Sequence, residues 1–326
     1  MATTVSVIIA AYNAGEYIDR ALASLESQTR LPDEIIVIDD GSADDTAERV
    51  QTFKKKSSLC IILQQQENKG LPATRNIGVR SARSDLVAFL DADDTMYPSF
   101  LEETVHGLDA FPHWVACFGD RDVVDTGGKL ISRDLDHPGF QAINRRHVSG
   151  DFWELSDPDL FCKMVAGNVI PMTIVFRRTQ FGAVGYFDEE LRFGEDRLFL
   201  LRLIKLHGAF GYVNKPLGIW QRHENNLTSG SNALRNWFYS DLILAKLVNN
   251  SDQWHLTAGE LKCVFAAQHS VAVSWVYCAS RNASRATLPL ASRLLYKGRI
   301  TFRCFCKALG RYLISGLRVA LASRTP

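Results

Sequence analysis

Three sequence signatures of nucleotide and acyl-group chemistry are missing from this chain of 326 residues. It has no GxxxxGK followed by Ser or Thr, which excludes a P-loop phosphate site. It has no GxGxxG after its first strand-like segment, so the fingerprint of a dinucleotide-binding fold is absent. It also lacks GxSxG, the nucleophile elbow of α/β-hydrolases. Any nucleotide chemistry must therefore depend on other residues.

Metal-binding cysteine patterns and a secretion signal are missing as well. The seven cysteines form no CxxC pair and no Cys/His cluster with zinc-ligand spacing, so a structural zinc centre is not expected. The N-terminus lacks the basic segment and the long apolar run of a signal peptide, because the stretch "TVSVIIAAY" is too short. We therefore expect a cytoplasmic protein.

Acidic residues are absent from the last part of the chain. The sequence carries 37 Lys and Arg against 36 Asp and Glu, but no acidic residue follows Glu260. Basic residues recur every fourth position from Arg299 to Arg311, and apolar residues such as Phe302 fall on another face. This pattern predicts a basic amphipathic helix at about 299–318, which either binds an anionic membrane surface or packs on the rest of the protein.

Other interpretations of the basic tail are less favoured. The longest uncharged run, Cys263 to Ser280, contains Gln268 and His269, which are poorly suited to a bilayer core. No aromatic platform or groove-reading motif accompanies the positive charge, so no nucleic acid partner is expected. We expect a location in the cytoplasm, with peripheral contact to the inner face of the cytoplasmic membrane.

The first 120 residues alternate between strand-like and helix-like segments. Strand patterns at 5–11, 34–39, 60–64 and 85–91 are separated by helical patterns at 16–28, 44–53 and 71–82. Strands that are apolar on both faces and alternate with helices predict an α/β fold with a mostly parallel sheet covered by helices on both sides.

The remainder of the chain is less regular. It predicts a mobile loop at 132–151, with 133–150 as a candidate lid, and a strand at 172–178. Two helices follow between 179 and 208, the second from about Glu195, then a strand pair at 209–226. From about 232 onward the pattern is mainly helical. These features predict a first domain at 1–230 and a basic helical extension at 231–326.

Polar residues follow three of the predicted strands at the point where each one ends. Tyr12 and Asn13 follow the first strand, Asp39 and Asp40 the second, and Asp91, Asp93 and Asp94 the fourth. In parallel sheets ligands bind outside the carboxyl ends of the strands, which lie on one edge. These residues are therefore expected to share a ligand site.

The stretch "FLDADD" suits a divalent cation. Carboxylates at a strand end are hard oxygen ligands for Mg²⁺ or Mn²⁺, and such an ion can bridge phosphate oxygens. A solvated acidic turn in which Asp93 or Asp94 caps a helix is the alternative, because Asp-x-Asp recurs by accident.

Two further clusters are ambiguous when taken singly. Glu195 and Asp196 begin a predicted helix, where a carboxylate acts as a general base or simply favours the positive end of the helix. His223 follows a strand-like stretch and is either a metal ligand or an ordinary loop residue, while Arg222 beside it suits a phosphate contact.

Six segments of the chain follow one another in order and at workable spacings. They are "VSVIIAAYNAGEYIDRALASLESQT", "EIIVIDDGSADDT", "NKGLPATRNIGVRSARSDLVAFLDADD", "GYFDEEL", "GEDRLFLLRL" and "QRHENN". Taken together they resemble the blocks of the family 2 glycosyltransferases, which are inverting enzymes of the GT-A fold that use nucleotide-sugar donors. The resemblance covers about residues 4–228.

The resemblance assigns the early residues to the donor. It implies that Tyr12 and Asn13 line the nucleotide pocket and that Asp40 accepts a hydrogen bond from the ring N–H of a base such as uracil. Arg75 and Asn76, in "TRN", are implied to lie beside the nucleotide, where Arg75 offsets diphosphate charge.

The same resemblance assigns the later residues to the reaction. It implies that Asp91 lies near the ribose, that Asp93 ligates the divalent cation and that Asp94 orients them. Asp196 matches the catalytic base, with Glu195 beside it. His223 resembles a late histidine that reaches the metal or the diphosphate.

The resemblance thus implies a metal-dependent, inverting transfer of a sugar, with a UDP-sugar favoured as donor. The acceptor is expected to be a saccharide or lipid-linked saccharide in cell-surface polysaccharide, lipopolysaccharide or glycoconjugate synthesis. A sugar nucleotidyltransferase is the first alternative, although "AAYNAGEY" is not the Gly-rich basic loop of that class. A catalytically silent nucleotide-sugar-binding module is the second.

Overall fold

The structure, a computed structural model, describes residues 2–206, 208–224, 226–229, 232–281, 290–291 and 294–295. The chain divides into two compact units, the first ending at His223 and the second beginning at Glu224. Residues 299–318, for which the sequence predicts a basic amphipathic helix, lie outside the described residues.

Strands and helices alternate through the first unit. Its strands are β1 (Val5–Ala11), β2 (Glu34–Asp39), β3 (Ile61–Gln65), β4 (Leu86–Phe89), β5 (Thr95–Met96), β6 (Trp114–Val124), β7 (Leu130–Arg133), β8 (Arg145–Ser149), β9 (Phe152–Leu155), β10 (Ile174–Arg177) and β11 (Ala209–Gln221). Its helices are α1 (Ile18–Glu26), α2 (Thr46–Lys56), α3 (Leu71–Ser81), α4 (Phe100–Ala110), α5 (Pro138–Gln141), α6 (Leu160–Ala166), α7 (Thr179–Val184) and α8 (Glu195–Lys205), with a short 3-10 turn at Asp134–Asp136.

Within the described residues the strands form one mixed sheet, with the order β3-β2-β1-β4-β10-β6-β11-β9-β8. β5 pairs with β11, and β7 pairs with β6. The first four strands of this order are parallel, as the alternation of strands and helices predicts. β10 enters antiparallel between β4 and β6. The candidate site residues predicted from the sequence therefore follow the carboxyl ends of strands in this parallel part of the sheet.

Helices cover both faces of the parallel part. Val7 and Ile9 of β1 face one cluster with Leu22 of α1 and Phe100 of α4. The opposite face holds Ile8, against which Gly78 of α3 packs. A Cβ at Gly78 would lie 2.4 Å from Ile8 Cγ2, so only glycine permits this close approach of helix and strand. The prediction of a sheet covered on both sides is confirmed.

Residues 132–151 are more ordered than the sequence indicates. The prediction of a mobile loop is wrong, because the 3-10 turn, α5 and β8 occupy this segment. Leu135, Phe140 and Ile143 anchor it in the interior, where each is at most 3% exposed. Asp120 also accepts a hydrogen bond from the Leu135 N–H at 2.9 Å. Three apolar residues at irregular spacing form an anchor without producing a helical or strand period.

The predicted strand pair at 209–226 is also wrong, because β11 is one strand of 13 residues. Its pairing with β6 shifts register between Val213 and Pro216 and again before Gly218. Proline has no N–H to donate, so it is tolerated in a strand where a bulge interrupts the ladder. The bulge lets β11 continue past Pro216 and deliver Gln221 and His223 to the edge of the sheet.

The second unit contains helices α9 (Ala233–Asn249) and α10 (Ala258–Arg281), in agreement with the helical pattern of its sequence. The two helices contact each other through aromatic side chains, with the rings of Phe238 and Trp275 centred 5.9 Å apart. Among the described residues, none of the helices has both the length and the apolar character needed to cross a membrane.

Candidate functional site

The predicted site residues meet at one edge of the parallel sheet. β1, β2 and β4 are neighbours that run in the same direction, and their registers pair Ala11 with Asp39 and Ile8 with Phe89. The residues that follow these strand ends therefore emerge side by side. The order of the strands, rather than their spacing along the chain, brings Asn13, Asp40 and Asp91 to the same place.

Asn13 shapes the first of these loops. It adopts a left-handed backbone conformation with a φ of 49°, which asparagine tolerates better than most residues. Its N–H donates to Ser42 Oγ at 2.9 Å, and its Oδ1 accepts from the Ala43 N–H at 2.8 Å. These bonds tie the loop after β1 to the loop after β2. Tyr12 is left on the surface, 56% exposed, where its ring can cover a ligand.

Asp40 is buried and organises the approach to α3. One carboxylate oxygen accepts from Gln66 Nε2 at 2.7 Å and from the Lys69 N–H at 2.8 Å, and the other accepts from the Gly70 N–H at 2.8 Å. A carboxylate offers about four acceptor positions, so three protein donors leave room for one more. The resemblance implies a role of Asp40 toward a base, and the structure adds a role in fixing residues 66–70.

The acidic turn after β4 is closed by a hydrogen bond from the Asp94 N–H to the Asp91 carbonyl oxygen at 3.0 Å. Within this turn Asp93 is paired with His223, whose Nε2 lies 3.0 Å from Asp93 Oδ2. Burial raises the pKa of Asp93, the charge of Asp91 raises that pKa further, and His223 opposes both effects. The turn concentrates negative charge in a partly buried place, as a cation site requires.

Asp94 is the deepest of the three aspartates, 8% exposed. Its Oδ1 accepts from the Gln221 N–H at 3.1 Å, and its Oδ2 lies 3.8 Å from Arg121 Nη1. Burial, with a further contribution from Asp93, raises the pKa of Asp94 well above its usual value. Asp94 therefore joins the acidic turn to the last residue of β11, two residues before His223.

Arg121 is a charged residue of the site that the sequence did not single out. Its guanidinium donates two hydrogen bonds to Asp134 Oδ2, at 3.1 and 2.6 Å, and lies over the Trp220 ring at 5.3 Å. It lines a small cleft together with Asp91, Asp94, Met172 and Thr173. No motif marks Arg121, because its partners come from separate parts of the chain.

His223 is held in place by an aromatic neighbour. Its ring stacks on Tyr17, with centroids 4.9 Å apart and planes inclined by 11°. Tyr17 lies just before α1, in the loop region that follows β1. This stacking fixes the imidazole so that Nε2 faces Asp93. The sequence did not reveal the role of Tyr17, because it depends on contact with a residue 206 positions later in the chain.

Two candidate metal ligands are therefore adjacent, Asp93 Oδ2 and His223 Nε2. Carboxylate oxygen suits Mn²⁺ and Mg²⁺, and the neutral imidazole of histidine is a common metal ligand. Within the ranges that the structure describes, no group of three or more His, Cys, Asp or Glu side chains is arranged to hold a metal ion. The pair fits an ion that takes its other ligands from substrate phosphate and water, as ions bound by one or two side chains do.

Arg75 is the central charge of the site. Its Nη2 donates to Asp91 Oδ1 at 2.6 Å and its Nη1 to Glu195 Oε1 at 2.5 Å. Burial alone would lower the pKa of Arg75, but the charges of Asp91 and Glu195 raise it above its usual value. Burial raises the pKa of Glu195 to about 7, against the opposing effect of Arg75. Arg75 thereby connects the acidic turn with the first turn of α8.

Asp196 differs from its neighbour Glu195 in exposure. α8 begins after Gly194, whose φ of 77° suits glycine, and the helix turns Glu195 into the interior. Asp196 is only half-buried, and its Oδ2 accepts from Asn168 Nδ2 at 2.9 Å. Its Oδ1 accepts from the Arg197 N–H at 2.7 Å. Of the two carboxylates, Asp196 is the one that an incoming molecule can reach.

The side chain of Asn76 forms three hydrogen bonds within the protein. Its side-chain amide donates to the Phe187 carbonyl oxygen and to Glu189 Oε1, both at 2.9 Å, and accepts from the Phe187 N–H at 2.9 Å. It is 1% exposed. These bonds fasten the "GYFDEEL" segment to α3. Contact of Asn76 with a nucleotide stays a prediction.

The amino-acid sequence is similar to those of known glycosyltransferases. The model of "Glycosyl transferase family 2" matches residues 6–168. The putative glycosyltransferase EpsH of Bacillus subtilis is 29% identical over 231 residues, which cover 68% of this chain and 62% of EpsH. Chondroitin synthase of Escherichia coli is 27% identical over 254 residues, which cover 70% of this chain and 37% of the synthase. The chain thus spans less than two thirds of either relative.

Two solved structures share the fold. S. aureus TarS 1–349 in complex with UDP-GlcNAc has a TM-score of 0.60 and 19% identity, over 96% of this chain and 89% of that one. The mannosyltransferase PcManGT from Pyrobaculum calidifontis, in complex with GDP-Man and Mn²⁺, has a TM-score of 0.57 and 17% identity, over 96% and 86%. The mixed sheet with helices on both faces is a GT-A fold. Since the family model covers half of its residues, this chain belongs to glycosyl transferase family 2.

Proposed function

We propose that this protein is an inverting glycosyltransferase that moves a sugar from a nucleoside-diphosphate sugar, with UDP favoured, to an acceptor hydroxyl. The observation that carries the proposal is the meeting of Asp91, Asp93 and His223 with Glu195 and Asp196 at one edge of the sheet, through Arg75. The relatives support it: one is named chondroitin synthase, and two GT-A neighbours were solved with UDP-GlcNAc and GDP-Man.

The chemistry follows from the separate environments of the carboxylates. Tyr12, Asn13 and Asp40 bind the nucleotide, so that the diphosphate and the sugar extend toward Asp91 and Asp93 at the same edge of the sheet. Asp196 accepts the proton of the acceptor hydroxyl as its oxygen attacks the anomeric carbon. The nucleoside diphosphate departs from the opposite face. A single displacement of this kind inverts the anomeric centre and needs only one carboxylate at the sugar, unlike the paired carboxylates of glycoside hydrolysis.

A divalent cation, Mn²⁺ or Mg²⁺, belongs to this proposal. Asp93 and His223 would hold it, since their oxygen and nitrogen are adjacent and the negative charge of Asp91 lies close by. When bound, such an ion neutralises charge on a departing diphosphate. Tyr17 keeps the His223 ring oriented for this purpose, and Asp94 holds the acidic turn against β11.

The donor is identified by a thermal-shift screen of UDP-, GDP- and dTDP-sugars with MnCl₂. Binding at 100 times the dissociation constant stabilises a protein by about 2.7 kcal/mol. For a domain of this size that corresponds to a rise of roughly 5–10 °C in Tm. We expect a UDP-sugar to give this rise and EDTA to remove it.

Three outcomes of the screen contradict parts of the proposal. A donor-induced rise in Tm that persists in EDTA would show that donor binding does not require the metal ion. A rise with a nucleoside triphosphate and a sugar 1-phosphate, but with no nucleotide sugar, would favour a nucleotidyltransferase. A donor that binds without release of its sugar to water or to any acceptor would favour a silent binding module.

We also propose that the acceptor is a saccharide or lipid-linked saccharide and that the protein works at the inner face of the cytoplasmic membrane. Basic residues at four-residue spacing between Arg299 and Arg311 support this location. Near an anionic surface each basic residue contributes about 1 kcal/mol of attraction, and salt screens it.

Vesicle co-sedimentation tests the membrane contact. We expect the full chain to sediment with phosphatidylglycerol vesicles and to be released by salt. Substitution of Arg299, Arg303, Lys307 and Arg311 by Gln should abolish sedimentation. The matched control replaces Lys54, Lys55 and Lys56 by Gln, because these lysines are exposed at the end of α2. Equal sedimentation of the two variants would refute the role of the tail.

A further inference from the structure

Arg75 joins the two halves of the proposed reaction centre. One nitrogen of its guanidinium donates to Asp91, two residues before the proposed metal ligand Asp93, and another donates to Glu195, immediately before the proposed base Asp196. We infer that Arg75 is a positioning residue that fixes the acidic turn relative to the first turn of α8, and that it is not a ligand of the donor's diphosphate. This inference rests on the proposed function.

The surroundings of Arg75 leave its guanidinium little access to a ligand. The Arg75 side chain is 4% exposed, and that of Glu195 is also 4% exposed. The guanidinium carbon lies 5.8 Å from the ring centre of Phe89 and 5.9 Å from that of Phe187. Both ion pairs are short, and the aromatic rings contact the guanidinium as well. A diphosphate could reach this group only by displacing a carboxylate.

The charges around Arg75 also argue against a role as a phosphate ligand. One guanidinium faces two carboxyl groups, so Arg75 with Asp91 and Glu195 carries no net positive charge. A residue that offsets diphosphate charge has to present positive charge outward. Of the three side chains only Asp91 is substantially exposed, at 37%, so the group presents a carboxylate to the cleft. This arrangement suits a cation rather than a phosphate.

The planar fork of arginine explains why this residue type is needed. Its N–H groups point in fixed directions and can hold two carboxylates at once, whereas a lysine ammonium is a single point charge on a flexible stem. If the fork is lost, no single group holds Asp91 and Glu195 in a fixed position relative to each other. A displacement of about 1 Å at a reacting centre can lower the rate by about 10²-fold. The position of Asp196 relative to the donor therefore depends on Arg75.

Four variants test the inference. Arg75→Lys keeps the charge without the fork. Arg75→Met removes the charge and the fork, and it leaves the buried Glu195 without its arginine partner. The double variant Arg75→Met with Glu195→Met removes the buried carboxyl group as well. Arg80→Met is the matched control, because Arg80 is an exposed arginine of the same helix that lies over Tyr186. The measurements are Tm, kcat and KM for UDP release from the UDP-sugar found by screening, and calorimetric affinities for UDP and uridine with MnCl₂.

We expect Arg75→Lys to lower kcat about 10²-fold and to leave KM and the ratio of UDP to uridine affinity unchanged. Arg75→Met should lower Tm, because an unpaired buried charge is strongly destabilising. The double variant should regain Tm, since replacing a buried ion pair by apolar residues is often neutral, but its kcat should stay low. Arg80→Met should match the wild type in every measurement.

Two results would overturn the inference. A tenfold or greater fall in the UDP-to-uridine affinity ratio of Arg75→Lys would make Arg75 a diphosphate ligand. Recovery of kcat together with Tm in the double variant would reduce its role to stability. The affinity ratio requires no turnover, so it reports on Arg75 separately from the proposed function. Absence of UDP release from every UDP-sugar by the wild type would instead contradict the proposed function itself.

Discussion

Asp93→Asn is expected to lower sugar transfer by at least about 10³-fold, which corresponds to about 4 kcal/mol of transition-state stabilisation. The amide has nearly the shape of the carboxylate but lacks its charge, so the proposed cation would lose its anionic protein ligand and remain with His223. The developing charge on the diphosphate would then be poorly compensated. The rise in Tm with donor and MnCl₂ should disappear in the same variant.

The control for this experiment is Asp109→Asn. Asp109 is an exposed aspartate whose Oδ1 accepts from Thr3 Oγ1 at 2.6 Å, so it lies beside the start of β1, at the amino edge of the sheet. Its variant should keep wild-type transfer and wild-type donor binding. If Asp93→Asn also transfers sugar normally, or if it keeps an EDTA-sensitive rise in Tm, the assignment of Asp93 to the cation is wrong.

The early part of the fold was predictable because its signals are local. The run "VSVIIAA" forms β1 and "EIIVID" forms β2, each with the boundaries that the sequence indicates. Such runs are apolar on both faces because helices cover both sides of a parallel sheet. The segment 132–151 and β11 were not predictable in this way. Their order depends on scattered anchors such as Phe140 and on a bulge at Pro216, and neither produces a periodic pattern.

The position of the site in the fold was predictable, because its residues follow the ends of parallel strands. The edge that gathers Asn13, Asp40 and Asp91 follows from the parallel order of β1, β2 and β4. The partners of these residues do not follow from the sequence. The resemblance implies that Arg75 lies beside the nucleotide, and the structure adds its hydrogen bonds to Asp91 and to Glu195, the latter 120 positions away. Pairings over such distances are determined by packing, which a motif does not encode.

The structure also separates two adjacent carboxylates that the sequence leaves nearly equivalent. Glu195 is 3% exposed and bonded to Arg75, and burial raises its pKa to about 7. Asp196 is half-buried, and its hydrogen-bond partners are Asn168 and the Arg197 N–H. A general base must come within hydrogen-bond distance of the proton that it accepts. The greater access of Asp196 therefore supports the proposal that it accepts the proton, with Glu195 beside it as a supporting residue.

Asp196→Asn should consequently stop transfer while donor binding continues. Removal of a general base typically lowers the rate by about 10²- to 10⁴-fold, and we expect kcat to fall within this range. The Oδ1 of an asparagine can still accept from the Arg197 N–H, and its Nδ2 can donate to Asn168 once the Asn168 amide turns its oxygen toward it, so the fold should be retained. Donor affinity should stay within about fivefold of the wild type, because loss of a contact worth under about 1 kcal/mol changes binding by no more than this. Transfer rates and the donor-induced rise in Tm measure the two effects separately.

Asp159→Asn is the matched control for Asp196→Asn. Asp159 is an exposed aspartate at the start of α6, so it interacts with the positive end of a helix as Asp196 does at the start of α8. If Asp196 only stabilised its helix, both variants would lower Tm slightly and leave kcat unchanged. A fall in kcat confined to Asp196→Asn would assign its carboxylate to proton transfer, whereas normal turnover by that variant would remove it from the mechanism and leave the base to be sought among other groups.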